Sequence, residues 1–153
     1  MSNKMFLTAY TDGASKGNPG PASLGFIIEK DGVVLEQHGE YIGETTNNIA
    51  EYTALIYAAK RMKILGATDV TIYSDSELMV KQINGSYKVK NEGLQALFGE
   101  VTKLSGKFHS FQVIHIPREE NSCADGLANK AIKEHDSRAK KTAKKLDQQI
   151  KLF

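Results

Sequence analysis

The spacing of apolar residues changes character once along this chain, and that change limits the folds open to it. Up to Tyr41 the apolar residues come in short runs, Met5–Tyr10, Leu24–Glu29 and Val33–Tyr41, separated by glycine, proline and aspartate. Runs of that length bounded by turn formers read as strands, and Asp31-Gly32 between the last two suits a hairpin turn. From Ile49 to Leu65 the spacing becomes three and four, through Ile49, Tyr52, Leu55, Ile56, Ala59 and Met62, which marks an amphipathic helix closed by Gly66. Val70–Tyr73 then reads as a short buried strand and Ser76–Ile83 and Leu94–Leu104 as helices. Phe108–Ile116 reads as a fifth strand stopped by Pro117, and Asn121 to about His135 as another helix. The order β-β-β-α-β-α-α-β-α predicts an α/β domain with a mixed sheet: an antiparallel meander, then strands connected in parallel through helices that cover the sheet faces.

A chain of 153 residues with 41% hydrophobic content is about one domain long and can bury an ordinary core. Its net charge of +2 is unevenly spread. Residues 137–153 hold Arg138, Lys140, Lys141, Lys144, Lys145 and Lys151 against Asp147, a net of +5, which leaves −3 for residues 1–136. The expected organisation is a mildly acidic domain over 1–136 and a basic tail over 137–153. The tail, with Leu146, Ile150 and Phe153 among its lysines, reads as a weakly amphipathic helix or a disordered arm. Cys123 is the single cysteine, so an internal disulfide is excluded, and no apolar run approaches the length of a signal sequence or membrane span. The cytoplasm, with no membrane partner, is the expected setting.

Tyr10 to Ile28, YTDGASKGNPGPASLGFII, carries more glycine and proline than a tight turn requires. It also holds the first of four acids that stand at element ends. Asp12-Gly13 alone reads as a turn. Glu51, three residues after Asn48, has capping-box spacing; Asp75 stands where an N-cap is expected; Asp125 follows Ser122 by three. Each acid has a structural explanation by itself. Together they suggest more, because parallel pairing of Val70–Tyr73 beside Met5–Tyr10 would bring Asp12 and Asp75 out at one sheet edge, the place where such sheets bind ligands. Helices starting near Asn48 and Asn121 would add Glu51 and Asp125. Four clustered carboxylates repel one another unless cations neutralise them, and their hard oxygens suit magnesium or manganese. Two such ions suit attack on a phosphodiester.

The stretches TDGASKGNPGPASLGF, TTNNIAEYTAL, IYSDSELMVKQI and PREENSCADGLANKA, in that order, resemble the four signature segments of type 1 ribonuclease H, and the resemblance covers roughly residues 5–135. It implies the ribonuclease H fold, a five-stranded mixed sheet with helices on both faces. The implied activity is endonucleolytic hydrolysis of the RNA strand of RNA–DNA hybrids, with two magnesium ions, for which manganese can substitute, leaving 3′-hydroxyl and 5′-phosphate ends. By the same match Asp12, Glu51, Asp75 and Asp125 are the catalytic and metal-binding acids. Gly13, Ser15, Asn18, Thr46, Asn47 and Asn48 match substrate-binding positions, the glycines letting backbone approach the hybrid. A monomer is the expected state.

The match departs from the family in three places. The loop histidine that many members carry before the last acid is missing, since Pro117 to Asn121 holds only Arg118, Glu119 and Glu120, and His115 falls within the preceding strand. The long basic insertion of some relatives is absent, which makes this a short form in which Tyr87, Lys88 and Lys90 are left as a smaller DNA contact. Glu44 stands where relatives often have a basic side chain. The tail lies beyond the matched segments and is expected to act as an affinity arm for phosphates, the alternative being a helix docked through Leu146, Ile150 and Phe153.

Overall fold

The computed structural model describes residues 3–151. Its elements follow the predicted order: β1 (Phe6–Ser15), β2 (Gly20–Lys30), β3 (Val33–Thr45), α1 (Asn47–Ile64), β4 (Asp69–Ser74), α2 (Glu77–Ile83), α3 (Glu92–Ser105), β5 (Ser110–His115), a short 3₁₀ turn (Arg118–Glu120) and α4 (Ser122–Lys151). The five strands form one sheet in the order β3-β2-β1-β4-β5. β1 pairs antiparallel with β2 and parallel with β4, and β5 adds parallel to β4.

The first strand is longer than its apolar run. Asp12, Gly13, Ala14 and Ser15 pair with Gly25, Leu24, Ser23 and Ala22, so the ladder carries β1 five residues past Tyr10 and Asp12 lies inside a strand rather than in a turn. Lys16 to Pro19 alone connect the two strands. Gly17 adopts φ +96°, and the Lys16 N–H donates to the Pro21 carbonyl (2.8 Å) to close the turn. A left-handed residue at the bend accounts for glycine there.

α1 and α4 cover opposite faces. Gly13 faces α1 so closely that a Cβ would come within 2.2 Å of the Ala50 carbonyl carbon. Gly25, opposite the neighbouring Asp12, faces α4, where a Cβ would come within 2.4 Å of the Ala124 carbonyl oxygen. Successive strand residues point to opposite faces, so these two approaches set one helix on each side. The larger core lies on the α1 side, where Leu7, Ala9, Leu24, Phe26, Ile28 and Ile72 of the sheet meet Leu55, Ala58 and Met62 of α1, with Leu94 and Val101 of α3 at its margin. On the other side Ala124, Ala128, Ala131 and Ile132 of α4 are buried.

The predicted end of the last helix near His135 is overrun. α4 continues without a break to Lys151, because the tail contains neither glycine nor proline and is rich in alanine, lysine and glutamine. Leu146 is 54% exposed and Ile150 71%, so this part of the helix is not docked on the body; Phe153 lies outside the described residues.

Candidate active site

Parallel pairing of β1 with β4 places Thr11 beside Ser74, so the next residues, Asp12 and Asp75, leave adjacent strands at the same edge. Glu51 arrives from the second turn of α1. The cap of that helix is Thr46, in extended conformation, whose hydroxyl accepts from the Ile49 N–H (3.2 Å). The Asn48–Glu51 capping box expected from spacing therefore does not form, and Glu51 is left for the interior. Asp75 does not cap either, because Ser76 takes that place and accepts from the Met79 N–H (3.3 Å). Asp12, Glu51 and Asp75 each present a carboxylate oxygen, all within 4.8 Å of one another. Asp125, in the first turn of α4, stands outside that group, 3.9 Å from the Arg118 guanidinium.

Burial and like charges hold Asp12 and Glu51 toward their protonated forms. The Asp12 pKa is pushed up to about 8, first by burial, then by the hydrogen bond with Asp125 and the charge of Asp75. The Glu51 carboxyl is also raised well above its ordinary value, by burial and then by the charges of Asp12 and Asp75, against a lowering hydrogen bond from the Gly13 backbone. Glu51 Oε2 is buried with no hydrogen-bond partner. A buried carboxylate oxygen without a donor, facing two more carboxylates, fits a hard divalent cation and little else.

Asn121, which spacing marked only as a helix start, proves to be part of this site. It is buried, and its side-chain amide donates to the Thr11 carbonyl (2.8 Å) and to Asp75 Oδ2 (3.2 Å). It thus ties the start of α4 to β1 and orients Asp75, while its own Oδ1 is buried without a partner. An asparagine at a helix start gives no signal in sequence that distinguishes this role from a cap.

The positions matched to substrate contacts lie at the end of β1, in the turn after it and at the start of α1, next in sequence to the stretches that carry Asp12 and Glu51. Asn18, in the β1–β2 turn, accepts through Oδ1 from the Asn47 N–H (3.0 Å), which joins the glycine-rich turn to the start of α1. Thr46, Asn47 and Asn48 form that start, and Ser15 ends β1. Gly13 makes room for α1, so its absent side chain serves packing. His115 ends β5 opposite Ser74, and the Tyr87 ring lies 5.1 Å from Lys81 Nζ in the connection between α2 and α3.

Residues 10–131 match a family described as reverse transcriptase-like. A curated ribonuclease H of Francisella philomiragia is 35% identical over 147 aligned positions, which cover 87% of this chain and 95% of that one. The chain belongs to the ribonuclease H family. Ribonuclease HI of Halobacterium salinarum is 39% identical over 125 residues, 81% of this chain. The chain spans 63% of that relative's length and 36% of a bifunctional protein of Mycobacterium tuberculosis that it also matches. Among solved structures, LC11-RNase H1 in complex with an RNA/DNA hybrid superposes with a TM-score of 0.81 at 41% identity, over 84% of this chain and 98% of that one. The fold, a five-stranded mixed sheet with helices, is that of the family's solved structures. Among the described residues no helix is long and apolar enough to cross a membrane.

Proposed function

We propose that this chain is an endoribonuclease that hydrolyses the RNA strand of RNA–DNA hybrids, leaving 3′-hydroxyl and 5′-phosphate ends, as a monomer in the cytoplasm. The observation that carries the reading is the convergence of Asp12, Glu51 and Asp75 within 4.8 Å, one of them with a buried oxygen that has no protein donor. Family membership supplies the substrate class, since a similar structure is that of an enzyme complexed with an RNA/DNA hybrid.

Asp12, Glu51 and Asp75 would hold the ions, with Asp125 supporting one of them. Two divalent cations, magnesium or in its place manganese, supply when bound the activation of a water and the neutralisation of charge on the departing oxygen. Asn121 keeps the Asp75 carboxylate turned toward its partners. Gly13, without a side chain, lets α1 and so Glu51 sit close to β1. Ser15, Asn18, Thr46, Asn47 and Asn48 bind the hybrid beside the acids, where amides that donate and accept suit 2′-hydroxyls and base edges. Recognition through groove shape and 2′-hydroxyls makes the enzyme indifferent to base sequence.

A labelled DNA–RNA–DNA strand paired to DNA tests this reading. Cuts are expected only within the RNA part, with magnesium or manganese and not with EDTA. A hybrid that is bound and left uncut would make the chain a binding module, and equal cutting of an all-DNA duplex would overturn the substrate assignment.

A further inference from the structure

The last fifteen described residues of α4 are an unusual appendage for a body of this charge. The part of α4 that packs on the sheet ends at His135 and Asp136. The His135 ring stacks on Tyr41 of β3, with centroids 3.5 Å apart and planes 8° from parallel. Asp136 pairs with Lys16 of the β1–β2 turn (2.6 Å). Beyond these two contacts, residues 138–151 are exposed throughout. The helix therefore leaves the body at the glycine-rich turn, next to the link between Asn18 and the start of α1, and at about 1.5 Å per residue it extends roughly 22 Å farther.

Its two sides differ. Lys140, Lys141, Lys144 and Lys145 recur at spacings of one, three and four, while Ala139, Ala143, Leu146 and Ile150 run along another side at spacings of four, three and four. Lys151 is paired with Asp147 (3.1 Å), and among the described residues Arg138, Lys140, Lys141, Lys144 and Lys145 make no ion pair. A net of +5 on a helix rooted beside the candidate substrate turn, on a body of −3, complements a polyanion passing over that turn. Among the described residues the apolar seam has four exposed positions, two of them alanine, which is short for a stable helix pair.

We propose that residues 137–151 form a preformed arm that grips phosphates of the nucleic-acid duplex away from the active site, adding affinity without entering the chemistry. This rests on the hybrid-cleaving reading for which duplex is bound, though not for whether phosphates are bound. The contacts are to backbone phosphate, so a DNA duplex and a hybrid should gain alike from the arm. Because the helix is already formed and anchored through Tyr41–His135 and Lys16–Asp136, little ordering opposes binding.

The test compares the full chain with a variant carrying Lys140→Gln, Lys141→Gln, Lys144→Gln and Lys145→Gln, which removes charge and keeps good helix formers. Affinities for a labelled hybrid and a labelled DNA duplex are measured by anisotropy in EDTA over a salt series. The slope of log affinity against log salt should flatten by about 2 to 3 on both duplexes, and affinity near 0.1 M salt should fall roughly 10- to 100-fold. The melting temperature and the turnover at saturating hybrid should not change. An unchanged salt slope would overturn the proposal. So would binding to phosphatidylserine vesicles that the variant loses while its duplex slope stays the same, or a dimer in sedimentation velocity that Leu146→Gln with Ile150→Gln dissociates at unchanged slope. Absence of hybrid cleavage by the full chain would defeat the enzymatic reading and leave this comparison standing.

Discussion

The side-chain amide of Asn121 donates to the Asp75 carboxylate at 3.2 Å, and its second hydrogen bond, to the Thr11 carbonyl, fixes it to the strand that carries Asp12. One buried residue thereby couples two of the acids and the start of the helix that brings the fourth. Asn121→Ala should leave the Thr11 carbonyl unpaired and Asp75 unsupported, costing about 1 to 3 kcal/mol. Thermal melting should fall by roughly 3 to 10 °C for a domain of this size. Cleavage should drop through kcat with KM little changed, since the residue orients a carboxylate and touches no substrate. A variant with normal kcat would refute the positioning role.

Asp12→Asn, Glu51→Gln and Asp75→Asn each remove one negative ligand from the group that converges within 4.8 Å and keep side-chain size. Cleavage of a labelled RNA strand should be abolished in all three while hybrid binding survives. Asp125 stands outside that group, beside Arg118, so Asp125→Asn should retain measurable activity. Near-normal cleavage by any two of the first three would sink the assignment.

Without metal the acids should make stability fall as pH rises. The folded pKa of Asp12 is about 8 and that of Glu51 is raised, both above the ordinary carboxylate range near 4. The folded state therefore binds more protons than the unfolded one between about pH 4 and 8, and stability declines with pH across that window. Glu36, Asp69, Glu77 and Asp136 are shifted downward and act the opposite way, at and below the ordinary range. In EDTA the melting temperature should be higher at pH 5.5 than at pH 8. Magnesium should raise it at pH 8, and Asp12→Asn should flatten the pH dependence and weaken the response to magnesium. A melting temperature independent of both pH and metal would contradict the electrostatic account.

Gly13→Ala should be poorly tolerated for a reason unrelated to substrate. The new methyl would meet the backbone of Ala50 and Glu51 at 2.2 to 2.3 Å, and backbone of a packed helix cannot turn aside as a side chain does. Displacing the first turns of α1 moves Glu51 from its partners, so stability should fall by about 1 to 3 kcal/mol or more and activity with it. Melting curves and cleavage rates of the variant decide this, and a fully active, equally stable Gly13→Ala protein would show the contact to be unimportant.

The order of elements and the family were legible in the sequence because both rest on local information. Apolar spacing reports strand or helix within a dozen residues, and the four acidic segments stand in their family's order. The sequence could also say that Asp12 and Asp75 would meet, once a parallel pairing was assumed. It could not say which of two local roles a residue would take. Asp12 reads as a turn residue, yet it belongs to a strand because Gly25, thirteen positions away, supplies its ladder partner. Glu51 and Asp75 read as caps, and are free because Thr46 and Ser76 cap instead. Asn121 looks like a helix start until Thr11 and Asp75 are brought to it across 110 and 46 residues. The tail is helical by propensity, but its standing clear of the body depended on whether any surface was there to receive Leu146 and Ile150. Burial, unlike periodicity, is a property of what lies opposite, and only the assembled sheet and helices decide it.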